Sequence, residues 1–214
     1  MKSWKLAFFV ALAAPGVVGL DARPADAGGY ALSLNSGAGI PTGDYGDVAD
    51  VRWNVGGGAD YSFNHLWGAG VDLGYHTWDG SDEYNAALAA VAEAFFGASP
   101  GTTTDASFRA FQFGGHGTLT PPIVGLVKPY LQAGIAGYSL REEIDSSDPS
   151  FSGDFSKTKF GWNVGAGALF SAAPTLSLGV DGHYHWVGAK DDYGVDLSWF
   201  TVQGRVVFHI PLAK

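Results

Sequence analysis

The chain has no cysteine, which excludes disulfides, thiolate catalysis and thiolate metal sites. Positive charge is also scarce. Twelve Lys and Arg stand against 21 Asp and Glu, a net of −9, and nucleic acid is excluded as a partner because phosphate binding draws on clustered basic residues. After the first 27 residues no apolar run approaches the ~20 residues that a spanning helix needs. A helical membrane protein is thereby excluded, leaving an exported soluble domain or a chain that crosses lipid as strands.

What is present begins with an export signal. Lys2 and Lys5 precede a mostly apolar stretch over residues 6–20, interrupted by Pro15-Gly16, and Ala25-Asp26-Ala27 has the small-x-small form of a signal-peptidase site. We therefore expect a cleaved signal peptide over residues 1–27 and one domain over residues 28–214. The 32 glycines and 14% aromatic content favour many short strands over helices.

Alternation of apolar and polar residues recurs in eight segments, near residues 29–40, 51–63, 66–78, 107–120, 128–141, 157–171, 174–188 and 197–210. The last shows it cleanly: Phe200, Val202, Val206, Phe208 and Ile210 alternate with Thr201, Gln203, Arg205 and His209. One strand with this pattern fits a soluble sandwich as well as a membrane wall, because parity alone does not say which face is outside. The connections decide more. They run long, short, long, short, the mark of an up-and-down sheet with two different rims.

The apolar parity class contains no charge within the strand bodies, and glutamate is missing from these strands altogether. The opposite class collects Arg52, Asp60, Asp72, His76, His116, Lys159, Asp181, His183, His185 and Arg205. Lipid supplies a physical reason for such a division, since an Arg or Lys facing mid-bilayer costs about 2–4 kcal/mol, whereas charges inside a closed barrel can pair. The expected fold is all-β, an eight-stranded antiparallel up-and-down transmembrane β-barrel with those ten residues in a polar lumen network. Trp53, Trp67, Trp162 and Trp186 lie in the apolar class near strand ends and are the expected aromatic girdle. The long connections hold 16 of the 21 acidic residues, and within the second Leu88, Val91 and Phe95 recur at helical spacing, predicting a short helix.

Signal, eight alternating strands, short turns and long loops together resemble the small outer-membrane barrels of Gram-negative bacteria: the OmpA membrane domain, OmpX and the opacity-type surface proteins. Residues 37–44, Gly-Ala-Gly-Ile-Pro-Thr-Gly-Asp, are similar to the opening hairpin of that group. The resemblance covers the whole mature chain and specifies fold better than task. It implies an outer-membrane location with acidic loops outside and both termini periplasmic. It also implies outer-membrane lipid and lipopolysaccharide as surroundings, the barrel-assembly machinery as a partner during biogenesis, and a monomer.

The expected role is structural or surface-interacting, with a narrow pore or OmpW-like conduit as the alternative, and an adhesin or a lipid A-modifying enzyme behind both. No catalytic residue, cofactor or metal is expected. Asp181, His183 and His185 are weighed as ligands because alternate residues project from one face of a strand, but a hydrogen-bonded lumen network is the favoured reading, since buried polar groups need partners in any case. The acidic loops could bind calcium or magnesium, yet they lack the spacing of an EF-hand, and solvated loops are the simpler reading.

The resemblance is imperfect at the C-terminus, where the family usually finishes on an aromatic that the assembly machinery recognises and this chain continues past Phe208. Deleting the residues after Phe208 is expected to leave a heat-modifiable, membrane-inserted protein on gel-shift assay. Loss of insertion would show that the tail is required.

Overall fold

The computed structural model describes residues 28–123, 125–194 and 196–210; the expected signal segment and the last four residues lie outside the described residues. Strand β1 (Tyr30–Thr42) is followed by a two-residue strand β2 (Ala49–Asp50), then β3 (Arg52–Ser62), β4 (Trp67–Gly80), β5 (Thr104–Leu119), β6 (Val127–Ser146), β7 (Gly153–Ala173), β8 (Leu176–Val187) and β9 (Leu197–Ile210). The eight long strands each pair antiparallel with the next. β1 also pairs with β9 from Tyr30↔Ile210 to Thr42↔Ser198, so the sheet closes into an eight-stranded barrel without an edge.

Closure sorts residues by parity, and the result inverts a soluble protein. Leu34, Val71 and Ile135 are 62%, 62% and 71% exposed, while Asp181 and Arg205 are 4% and 8% exposed. Water would expel this arrangement; hydrocarbon requires it. Aromatic side chains ring the apolar band at both ends. Near the short turns Tyr61 packs against Tyr30 and Phe63 at 4.9 and 5.4 Å. Near the long loops Trp53 meets Tyr75 at 5.8 Å, and Trp162 meets Tyr184 and Trp186 at 5.7 and 6.2 Å. Eight residues separate Trp67 from Tyr75 on β4. That is about 26 Å of strand, or roughly 20 Å of depth at a tilt near 40°, close to the ~25 Å apolar band of such barrels.

The two rims are built differently. At the short-turn rim the Asn64 side chain accepts from the backbone N–H groups of Leu66 and Trp67 at 2.8 and 2.9 Å, closing the β3–β4 turn. At the other rim the loops carry helices α1 (Tyr45–Val48), α2 (Asp82–Phe95) and α3 (Lys190–Tyr193). The Ser81 hydroxyl caps α2 by accepting from the Tyr84 N–H at 3.2 Å, and Asp82 and Glu83 suit its first turn. The helix predicted in this loop is therefore present, but it packs Tyr84, Leu88 and Ala92 inward and leaves Val91 and Phe95 exposed.

Two sequence expectations change. The acidic stretch 142–156 is mostly strand and not loop: β6 and β7 run 20 and 21 residues, well beyond the ~10 that cross a bilayer, so Glu142 and Glu143 stand on a projecting hairpin. Strands therefore do contain glutamate, outside the band. Likewise the outward face is charge-free only across the band. It ends at Arg109 and Arg141, registered opposite each other and paired with Glu143 and Asp154 at 3.1 and 3.5 Å.

Val71 sits midway between the two aromatic levels of β4. Val71→Arg is expected to lower unfolding stability in lipid vesicles by about 2–4 kcal/mol, read from the urea midpoint. An unchanged midpoint would mean that this face does not meet hydrocarbon.

Candidate functional site

Inward-pointing residues at successive heights make two layers in the barrel. In the layer nearer the short turns, the Arg205 guanidinium on β9 donates to the Tyr130 hydroxyl at 3.0 Å, the Ser33 hydroxyl at 3.1 Å and Gln132 Oε1 at 3.4 Å. It lies 3.6 Å from both Asp60 Oδ2 and Asp181 Oδ2. Tyr130 completes the link by donating to Asp181 Oδ2 at 2.7 Å. Four strands thus converge on one cation.

Beside it, His116 on β5 bridges two carboxylates, with Nε2 at 2.7 Å from Asp60 Oδ1 and Nδ1 at 2.8 Å from Asp72 Oδ1. Ionised carboxylates only accept, so this imidazole donates from both nitrogens and supplies a second positive charge. Gln112 donates to Asp72 at 2.6 Å and receives His76 Nε2 at 3.2 Å, which carries the network to the next layer.

That next layer is aromatic. His76 stacks on Trp78 with the rings 5.8 Å apart, His185 stacks on Trp199 at 5.0 Å, and Tyr138 meets Trp199 edge-on at 5.4 Å. His185 is also held by the Tyr138 hydroxyl at 3.1 Å and by Thr201 Oγ1 at 3.4 Å. Above the rings Tyr45 of α1 packs edge-on against Trp78 at 5.5 Å. The loops continue the seal: Tyr84 of α2 donates to Glu142 at 2.8 Å, and burial beside that carboxylate raises the Tyr84 hydroxyl above its ordinary pKa.

Lumen glycines serve this packing. A Cβ at Gly70 would lie 2.7 Å from both Asp60 Oδ1 and His116 Nε2, and one at Gly167 would lie 2.6 Å from the Tyr130 hydroxyl. Glycine is needed at both places so that neighbouring strands can bring their polar ends together. A cavity of about 40 Å³ lies among these residues, room for one or two waters.

The outer membrane protein beta-barrel domain profile matches residues 6–207. The chain belongs to this family. No curated protein sequence matches it. Among solved structures, neisserial surface protein A has a TM-score of 0.55 at 15% identity, covering 84% of this chain and 96% of that one. A major outer membrane protein from Thermus thermophilus has a TM-score of 0.61 at 13% identity, covering 85% and 99%. The attachment invasion locus protein Ail of Yersinia pestis, solved with the heparin analogue sucrose octasulfate, has a TM-score of 0.51 at 14% identity, covering 86% and 99%. At these identities the likeness is one of fold, and family membership places this barrel in the outer membrane.

Eight of the ten residues predicted for the lumen of this outer-membrane barrel lie inside it: Asp60, Asp72, His76, His116, Asp181, His183, His185 and Arg205. Arg52 and Lys159 do not. Arg52 keeps the parity of Asn54, opposite Gly39, but at the loop end of β3 its exposed side chain reaches Asp79 instead of the network. Lys159 has inward parity and stands opposite Tyr138 of the ring layer, but its side chain reaches away to Asp192 of α3; that ion pair holds the Asp192 carboxyl below its usual range. Parity describes a face and says nothing of height.

Asp181, His183 and His185 take separate partners. Asp181 turns to Tyr130 and Arg205, His185 to Tyr138 and Thr201, and His183 Nε2 stays 3.6 Å from Asp181 Oδ1. No group of three metal-binding side chains converges among the described residues. Trp53, Trp67 and Trp162 are exposed and Trp186 half-exposed on the outer wall. Missed by the sequence reading were Tyr130, Tyr138, Trp78 and Trp199. Their signal was parity: Trp78 lies two residues from His76, and Trp199 two from Thr201.

Arg205→Met leaves Asp60 and Asp181 facing each other without their guanidinium. It is expected to destabilise the folded barrel by about 3–5 kcal/mol in urea titration, whereas Lys190→Met in α3 changes little. Equal midpoints for the two variants would count against the network.

Proposed function

We propose that this protein is a monomeric outer-membrane barrel with a closed lumen, serving a structural and surface-directed role in the envelope and carrying out no catalysis. The observation that carries the reading is the stack of a charged layer beneath a layer of rings, hydrogen-bonded across the lumen around a cavity of about 40 Å³. A conducting path needs continuous water, and hydrogen-bonded side chains occupy that path here.

Orientation follows the family pattern of short periplasmic turns and long external loops. Tyr30 pairs with Ile210, so both chain ends leave from the short-turn rim and are assigned to the periplasm, where the assembly machinery acts. The acidic, helix-bearing rim then faces outward. Arg109 and Arg141 stand at its base just above the aromatic belt, at the height of lipopolysaccharide phosphates. Their pairs with Glu143 and Asp154 are about half-exposed and weak enough to exchange for a phosphate.

The Ail structure contains a sulfated ligand. The loops of this chain and the strand ends that carry them hold 16 carboxylates, the opposite balance, and that charge disfavours a polyanionic ligand here. An enzymatic reading finds no support in the histidines of the strands, which face the lumen and not the lipid.

Purified protein in planar bilayers is expected to show no stable single-channel steps under applied voltage. Reproducible steps would favour the alternative of a narrow pore.

A further inference from the structure

Helix α2 is apolar on both sides. Its inner face packs Tyr84, Leu88 and Ala92, while Ala87, Ala90, Val91, Ala94 and Phe95 stand exposed on the other, Phe95 at 81%. Past its first turn the one charged residue is Glu93, which is turned aside to accept from the backbone N–H groups of Gly101 and Thr102 at 2.6 and 3.1 Å. A helix that is apolar all round is normally buried, so the outer face of α2 is half of a packing contact. The apolar surface continues past the helix, where Phe96, 62% exposed, meets Phe151 of the β6–β7 hairpin at 5.2 Å. Two hydrogen bonds tie that hairpin to the α2 loop: the Ser147 N–H donates to the Thr103 carbonyl at 2.9 Å, and the Thr103 N–H donates to the Ser147 hydroxyl at 3.0 Å.

The field around this patch has one sign. Residues 81–108 and 142–156, which carry α2 and the hairpin tip, hold nine carboxylates and no Lys or Arg. The basic residues flanking these segments are already paired, Arg109 with Glu143, Arg141 with Asp154 and Lys157 with Asp192. Asp105 and Asp145 are exposed and registered directly opposite each other, an arrangement that destabilises the strand pair until an opposite charge meets it. We infer that the outer face of α2 is a docking surface for a basic amphipathic helix of another protein. Alanines along that face let a second helix approach to an axis distance of about 8 Å, with Val91, Phe95 and Phe96 as the apolar anchors. The partner's Lys and Arg side chains then meet the carboxylates of both loops. A second copy of this chain would set the same carboxylates against themselves, so charge selects a basic partner over self-association. The inference deepens the surface-directed role proposed above and takes the outward position of this rim from it.

The test titrates the intact barrel, in nanodiscs of zwitterionic phosphatidylcholine, with a synthetic Leu/Lys amphipathic helix of about 18 residues, or five turns. Empty nanodiscs measure the peptide's binding to lipid, and the same peptide with Glu for Lys, or with Ser for Leu, supplies the controls. The expected result is saturable binding of the Leu/Lys peptide to the barrel beyond that of empty discs, and of neither control. Val91→Ser/Phe95→Ser is expected to weaken it roughly tenfold. Asp105→Asn/Asp145→Asn is expected to weaken it roughly fivefold at low ionic strength and little at high. All four side chains are exposed, and heat-modifiable migration on gels shows whether each variant is folded; if one is not, the wild-type comparison of the three peptides decides. Orientation is read separately, by maleimide labelling of Ser150→Cys on intact cells, since the chain has no other cysteine; an unlabelled thiol would overturn the outward rim and leave the docking result standing. Equal binding of the Glu peptide, binding no greater than to empty discs, unchanged affinity in both variants, or a peptide-free dimer that Val91→Ser/Phe95→Ser dissociates would each overturn the assignment.

Discussion

Hydrocarbon offers no partner to a backbone N–H or to a charge, and the whole architecture follows from that single fact. Every strand must find two neighbours, which is why β1 meets β9 and the sheet has no edge. Every side chain that points outward across the band must be apolar, so all the chemistry of the strands is driven into a narrow interior. The barrel is the shape in which both demands are met at once.

The interior then has its own constraint. At eight strands the lumen holds side chains and little else, so its charges have only one another to satisfy them. Three aspartates are answered by one arginine and one doubly donating histidine, with Tyr130, Ser33, Gln112 and Gln132 filling the remaining hydrogen-bond positions. Gly70 on β4 and Gly167 on β7 leave room where those groups meet. The ring layer above gives a second closure of a different kind, by stacking instead of charge. Between the two, polarity falls from the charged layer to the aromatic one and rises again at the acidic loops.

Much of the fold was legible because the period of a strand is two and lipid punishes every error in it. Eight alternating segments and two classes of connection were enough to predict the barrel, and parity placed Asp60, Asp72, His116, Asp181 and Arg205 on the inner face. Legibility failed where parity stops being informative. Arg52 kept its parity but sits at the exposed loop end of β3, where it pairs with Asp79. Lys159 kept its parity too, but its side chain reaches away to Asp192. Trp78, Trp199 and Tyr138 were passed over because large rings in an otherwise polar class look like exceptions, although a narrow lumen can be closed by rings as well as by charges.

The sequence alone determined the side of the wall on which each strand residue falls, because alternation is a property of neighbouring residues and the cost of a misplaced charge is local. Only the tertiary structure decided who meets whom. The pairing of His116 with both Asp60 and Asp72, the choice of Arg205 as the shared cation and the meeting of three loop rings over Trp78 and Trp199 depend on strand stagger and height. Those quantities are set by closure of the whole sheet, and no single segment contains them.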